Sequence, residues 1–151
     1  MTTVRCYVPL QVEQLTTLRD DRRLTGPLRA TAVTRSVRAA TPSGDTEEWE
    51  YVSLQAAARG MLVEGHPVIV AAVDLEDSEV DASRAEGPQV RVGDVALPRV
   101  AALHLGDDVV TGDRSALPAA DDEGEIELSW YDTTEIEHVV ELATALEDPG
   151  P

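Results

Sequence analysis

TVRCYVPLQVEQLTTLRDDRRLTGPLRATAVT, residues 3–34, changes its hydrophobic period twice, and the order of those changes sets the expected fold. Val4, Cys6 and Val8 alternate with Arg5 and Tyr7, the period of two that marks a strand with one buried face, and Pro9 ends it. From Leu10 the spacing lengthens: Val12, Leu15 and Leu18 recur as on one face of a helix, and Thr25-Gly26-Pro27 stops the helix. Arg29–Thr34 then reads as a second strand. Strand, helix, strand implies a β-α-β unit with parallel strands, because a crossover helix is the usual means of returning the chain in the same direction.

The rest of the chain extends this pattern. Thr34 is placed to cap a short helix over 35–40, and TPSGD at 41–45 breaks it. Asp45 and Glu48 form an Asp-x-x-Glu capping box at the head of a longer helix over 46–62. HPVIVAAVDL, 66–75, is a continuous β-branched run suited to an inner strand covered on both faces. QVRVGDVALPRVAALHLGDD, 89–108, holds further short β-like runs. In EIELSWYDTTEIEHVVELATAL, 125–146, alternation gives a last strand with Trp130 as a core plug and Tyr131 on the opposite face. Thr134 and Glu137 then cap a final helix over 135–146. The expected fold class is α/β, with α+β the alternative. It is a single domain over 1–148 with a mixed sheet of five to six strands, β-α-β units at the N-terminus and a C-terminal helix. The acidic stretches 75–88 and 106–124 read as mobile loops.

Charge is the chain's most distinctive property. The formal net charge is −17, yet residues 1–60 carry eight Arg against seven acids, while residues 61–151 carry four Arg against twenty-two acids. Arg19, Arg22, Arg23, Arg29, Arg35 and Arg38 have only Asp20 and Asp21 as acids close by in sequence. These arginines are expected either to pair with the acidic second half or to form a positive patch, with Arg19, Arg22 and Arg23 as interaction residues and Arg35 as an anion holder. A body this acidic repels a phosphate backbone, so direct nucleic-acid binding is not expected, and the fitting partner is a basic protein.

Motifs exclude more than they include. No serine stands in Gly-x-Ser-x-Gly, no glycine-rich turn opens a helix after a strand, and the single Cys6 cannot build a thiolate metal site. Glu135-x-x-His138 is half of a carboxylate metal motif whose other half is missing, so no metal and no cofactor is expected. MTTVRCYVPL does not read as a secretory signal and no window is apolar enough for a membrane span, so a cytoplasmic protein without membrane association is expected. His104, near a strand end with Asp107 and Asp108 following, is the one place where chemistry is foreseeable. A small-molecule site there would draw on His104, Asp74, Asp132 and Arg35. The first reading remains a non-catalytic interaction or regulatory protein, with Tyr131 as a contact residue.

The segments VRCYVP, ATAVTRSVR, DTEEWEYVSLQAAAR, VIVAAVD, VRVGDVALPRVAALHLGDD and LSWYDTTEI, taken in order, resemble an actinobacterial family of small acidic single-domain proteins with no assigned function. VAALHL and SWYDTTEI are the most specific pieces. The resemblance implies a single domain and an actinobacterial source, to which the use of Arg for all twelve basic residues is suited, and it brings no catalytic residue with it.

Overall fold

A computed structural model describes residues 2–83 and 86–147. Strands β1 (Thr3–Pro9), β2 (Arg23–Leu24), β3 (Leu28–Ala32), β4 (Ile69–Glu76), β5 (Val80–Asp81), β6 (Gln89–Val92), β7 (Val95–Ala96), β8 (Val100–Gly106) and β9 (Leu128–Tyr131) combine with five helices. These are α1 (Val12–Asp21), α2 (Arg35–Ala40), α3 (Thr46–Glu64), α4 (Asp107–Thr111) and α5 (Ile136–Glu147). Seven strands form one sheet in the order β5-β6-β3-β1-β4-β8-β9, and β2 pairs with β7 in a separate ribbon. The result is a single compact α+β domain with a C-terminal helix.

The expected parallel β-α-β pairing is corrected, since each neighbouring pair in the sheet is antiparallel. The reason lies in residues 22–27. Cys6 stands opposite Ala32 and Tyr7 opposite Thr31, a register that carries Leu28 to the end of β1. The chain leaves the sheet through α1, comes back along β2, and so re-enters at the end it left. A helix followed by a return leg reverses the strand that a helix alone would have kept parallel. β3 and β4, connected through α2 and α3, do run in the same direction, but β1 lies between them.

Alternation along the strands sorts the core into two layers. Cys6, Val8, Ala71, Val73, Leu103 and Leu105 face Leu15 and Leu18 of α1 and the Ile136, Val139, Val140 and Ala143 stripe of α5. Tyr7, Val70, Ala72 and Ala102 face Ala57, Ala58 and Met61 of α3, together with Ile126. β4 is central and both its faces are covered, which is why its sequence is continuously apolar. α3 starts where expected: the Asp45 side chain accepts from the Glu48 N–H at 2.9 Å, and Gly65 closes the helix in the left-handed region at φ 77°. The final helix enters two residues before the expected box. Asp132 and Glu135 cap each other reciprocally over a 3-10 turn, Thr133–Glu135, that leads into α5. The acidic stretch 106–124 contains α4 and a second 3-10 turn, Arg114–Ala116, and 75–88 contains the end of β4 and β5. No described helix is long and apolar enough to cross a membrane.

Candidate functional site

Two of the molecule's concavities combine sheet residues with residues from the first half of α3. The larger, about 740 Å³, lies at the end of β1, β4 and β6 beneath α2, and Arg5, Asp74, Arg35, Arg38, Trp49 and Glu50 stand on its walls. Arg5 donates to both carboxylate oxygens of Asp74, at 2.6 and 3.2 Å, which raises the guanidinium further above its ordinary range. Asp74 is thus already engaged. Arg38 lies over the Trp49 ring at 5.9 Å, and the indole N–H donates to the Thr41 carbonyl. Glu50 and Asp77 on the same walls leave the cleft with both signs of charge.

The second concavity, about 440 Å³, runs between α3 and the end strand β9. Its shape follows from one segment. Residues 121–127, DDEGEIE, pass along α3 and are tied to it by hydrogen bonds from Gln55 and Arg59 to strap backbone atoms, by the buried Ile126 side chain and by the Tyr51–Glu125 hydrogen bond. The Gln55 side-chain carbonyl accepts from the Ile126 N–H at 2.9 Å, and its amide donates to the Ile126 carbonyl at 2.8 Å, a strand-like pair supplied by one side chain. Arg59 donates to the carbonyls of Asp122 and Gly124. Ile126 points inward and is buried, while Asp121, Asp122, Glu123, Glu125 and Glu127 are all exposed. Five carboxylates are therefore displayed on a strap held by Gln55 and Arg59.

Beside the strap, Trp130 stands opposite His104 in the β8–β9 register, so both side chains emerge on the α3 face. Trp130 is 61% exposed and Tyr51, across the groove on α3, is 44% exposed. The expectation that Trp130 plugs the core is corrected: β9 is the outermost strand, and α3 covers the middle of that face rather than its margin. Tyr131 takes the opposite face, partly buried against the α5 layer with its ring 6.2 Å from that of His138. The Tyr51 hydroxyl is pushed up by partial desolvation and by its hydrogen bond to Glu125. His104 is partly buried, edge-on to Tyr7 at 6.5 Å, and its basicity is lowered by burial and by the nearby Arg5 charge. Tyr7 is pushed up to about 12, chiefly by burial.

The residues foreseen as a ligand set divide between places. Asp74 and Arg35 line the larger cleft, His104 lines the groove, and Asp132 lies outside both as the cap of the turn before α5, accepting from the Thr134 N–H and hydroxyl at 2.9 Å each. These two hydrogen bonds hold the Asp132 carboxyl below its ordinary range. Half of the foreseen Arg patch pairs with the acidic second half: Arg19 reaches Glu137 at 3.7 Å as well as Asp20, Arg23 pairs with Asp94, and Arg29 reaches Glu64 at 3.3 Å. Arg22 is exposed at the left-handed C-cap of α1. Sequence reasoning missed Tyr51, Gln55, Arg59, Glu125 and Glu127. Tyr51 and Val52 carried a usable signal, as large apolar side chains on a helix face away from the Ala57, Ala58 and Met61 stripe.

A described group of three or more His, Cys, Asp or Glu side chains able to hold a metal ion does not occur. Fold and site together define a small α+β domain with an antiparallel sheet between helical layers and an acidic, aromatic groove at its margin. The chain belongs to a family of unknown function, DUF6912, whose model matches residues 4–140. No curated protein and no solved structure matches the chain.

Proposed function

We propose that this protein is a non-catalytic interaction or regulatory module that presents its acidic second half to a basic protein partner. One observation carries the reading: the strap at 121–127 is fastened to α3 through its backbone, by Gln55 and Arg59, so that its five carboxylates face solvent as a fixed array. Fixed like charges repel one another in the free protein and are relieved by a cationic surface, which speeds encounter and selects partners by sign. Arg5, Arg19, Arg23 and Arg29 pair elsewhere, with Asp74, Asp20, Glu137, Asp94 and Glu64, and Arg59, the arginine bonded to the strap, leaves one positive charge against five negative ones. Use of Arg alone for basic residues and the single buried Cys6 support an actinobacterial, cytoplasmic setting.

The test compares the wild-type chain with a variant in which Asp121, Asp122, Glu123, Glu125 and Glu127 become the corresponding amides. Each is used as bait against lysate at low and high salt, and any captured protein is then purified and titrated directly. A basic partner that binds the wild-type chain, is released by salt and ignores the amide variant supports the proposal. Capture that is indifferent to salt and to the five substitutions, or no capture in either salt, overturns it.

A further inference from the structure

The strap's charge accounts for attraction but not for a groove beside it with two exposed aromatic rings. The chain has only five aromatic residues and no Phe, yet Trp130 and Tyr51 are both set at the surface of one groove. Among the described residues they make no ring contact with each other, Trp130 is 61% and Tyr51 44% exposed, and the Tyr51 hydroxyl is engaged by Glu125. Two carboxylates, Glu125 and Glu127, stand on the same walls, and no Arg does. Aromatic faces are negative at their centres and hold cations at short range, while carboxylates hold them by charge and hydrogen bonding. A purely apolar occupant would bury Glu127 without a partner and Glu125 with the Tyr51 hydroxyl alone, and an anion would be repelled by both carboxylates.

We propose that this groove is the receiving site for a single cationic side chain, an arginine or lysine of the partner, held against Trp130 and Tyr51 with its charge on Glu125 and Glu127. The proposal rests on the reading of the acidic half as a surface for a basic partner, and adds to it the position of the anchoring residue. The guanidinium of arginine fits better than an ammonium, because its plane stacks on an indole while its edge donates to carboxylate oxygens. His104 at the base of the groove does not oppose the cation: burial and Arg5 both favour its neutral form, and the Arg5 charge itself is balanced by Asp74. Gln55, also on the groove wall, spends its side-chain amide on the Ile126 backbone and leaves the glutamates' carboxylates to the cation.

The probe is N-acetyl-arginine amide, with the neutral isostere N-acetyl-citrulline amide as control, each titrated against the full chain while the indole N–H signal of Trp130 is followed by NMR. The Trp130 signal is assigned by its loss in Trp130→Phe. A saturable millimolar shift is expected with the arginine probe, weakened at least about tenfold for citrulline and by a similar factor in the Glu125→Gln/Glu127→Gln double variant. An absent or non-saturating shift, or an equal response to citrulline, overturns the proposal. The two readings fail separately. If the amide-substituted strap releases a basic partner but the arginine probe leaves Trp130 unmoved, the acidic surface stands and the anchor falls. If the probe binds but no salt-sensitive partner exists, the groove is a cation site and the partner reading falls.

Discussion

Replacing Trp130 by alanine distinguishes a tryptophan displayed at a surface from one that holds up a core. A buried tryptophan covers roughly 250 Å², and about two-fifths of Trp130 is covered, since its exposure is 61%. That leaves on the order of 100 Å² of contact area, worth about 2.5 kcal/mol at roughly 25 cal/mol per Å². Alanine keeps part of that contact, and denatured chains already bury some of theirs, so the expected loss is about 1–2 kcal/mol. A core tryptophan truncated to alanine loses about 3–5 kcal/mol. Urea denaturation reads the difference directly, and Leu103→Ala calibrates it: Leu103 of β8 is fully buried in the core layer shared with α1 and α5, and its truncation is expected to cost about 2–5 kcal/mol in the same protein. A Trp130→Ala loss of about 3 kcal/mol or more with an unchanged m-value would refute the placement of this ring at the surface, and the aromatic groove would go with it.

Gln55→Ala removes both hydrogen bonds to Ile126, a residue that is 2% exposed, and is expected to cost about 1–3 kcal/mol with a matching loss of hydrogen-exchange protection at the Ile126 amide. Unchanged protection would show that the strap is held by something other than Gln55. Cys6 is buried and its thiol is pushed up to about 12, so a disulfide reagent at mildly alkaline pH should leave the native chain unlabelled and modify one thiol after urea is added. His104 should titrate below the ordinary 6.5 in NMR. Because its folded pKa is lowered, its contribution to stability is complete above 6.5 and is lost as pH falls toward the folded value, and His104→Gln should flatten that segment of the pH–stability curve.

How much of this could be read in advance depends on whether the determining contacts were local. The head of α3 was legible because Asp45 and Glu48 meet within one turn, and the start of α2 because Thr34 accepts from the Val37 N–H three residues on. The α5 stripe and the two-sided burial of β4 were legible because periodicity records how many faces of an element are covered. The direction of β3 was not, because it depends on β2 pairing with β7 some seventy residues away, a contact that leaves only a two-residue trace in each strand. The entry to α5 illustrates a nearer failure. Two overlapping patterns, Asp132 with Glu135 and Thr134 with Glu137, both satisfy the capping rule, and the Thr133 hydroxyl bonded to the Val100 carbonyl accompanies the first.

Trp130 and Tyr131 show why the candidate site was harder to read than the fold. Alternation correctly put them on opposite faces of β9, but it could not say which face had a cover, and on an end strand that decides everything. In the middle of the sheet either face would have buried a tryptophan. At the margin, the α5 layer reaches far enough to shelter Tyr131, whereas on the other side α3 stops short and the strap fills only part of the gap. The strap in turn owes its position to Gln55 and Arg59, polar residues about seventy and sixty-five positions away that bond to its backbone and so leave no complementary pattern in the strap's side chains. The same fact makes the acidic stretch separable from the fold: the Gln55 and Arg59 bonds involve none of its five carboxylates, and where Glu125 meets the Tyr51 hydroxyl of α3 a glutamine still offers a carbonyl acceptor, so the five can be neutralised without removing the backbone bonds. That independence of display from support is what permits the interaction and anchor proposals to be tested on a folded chain.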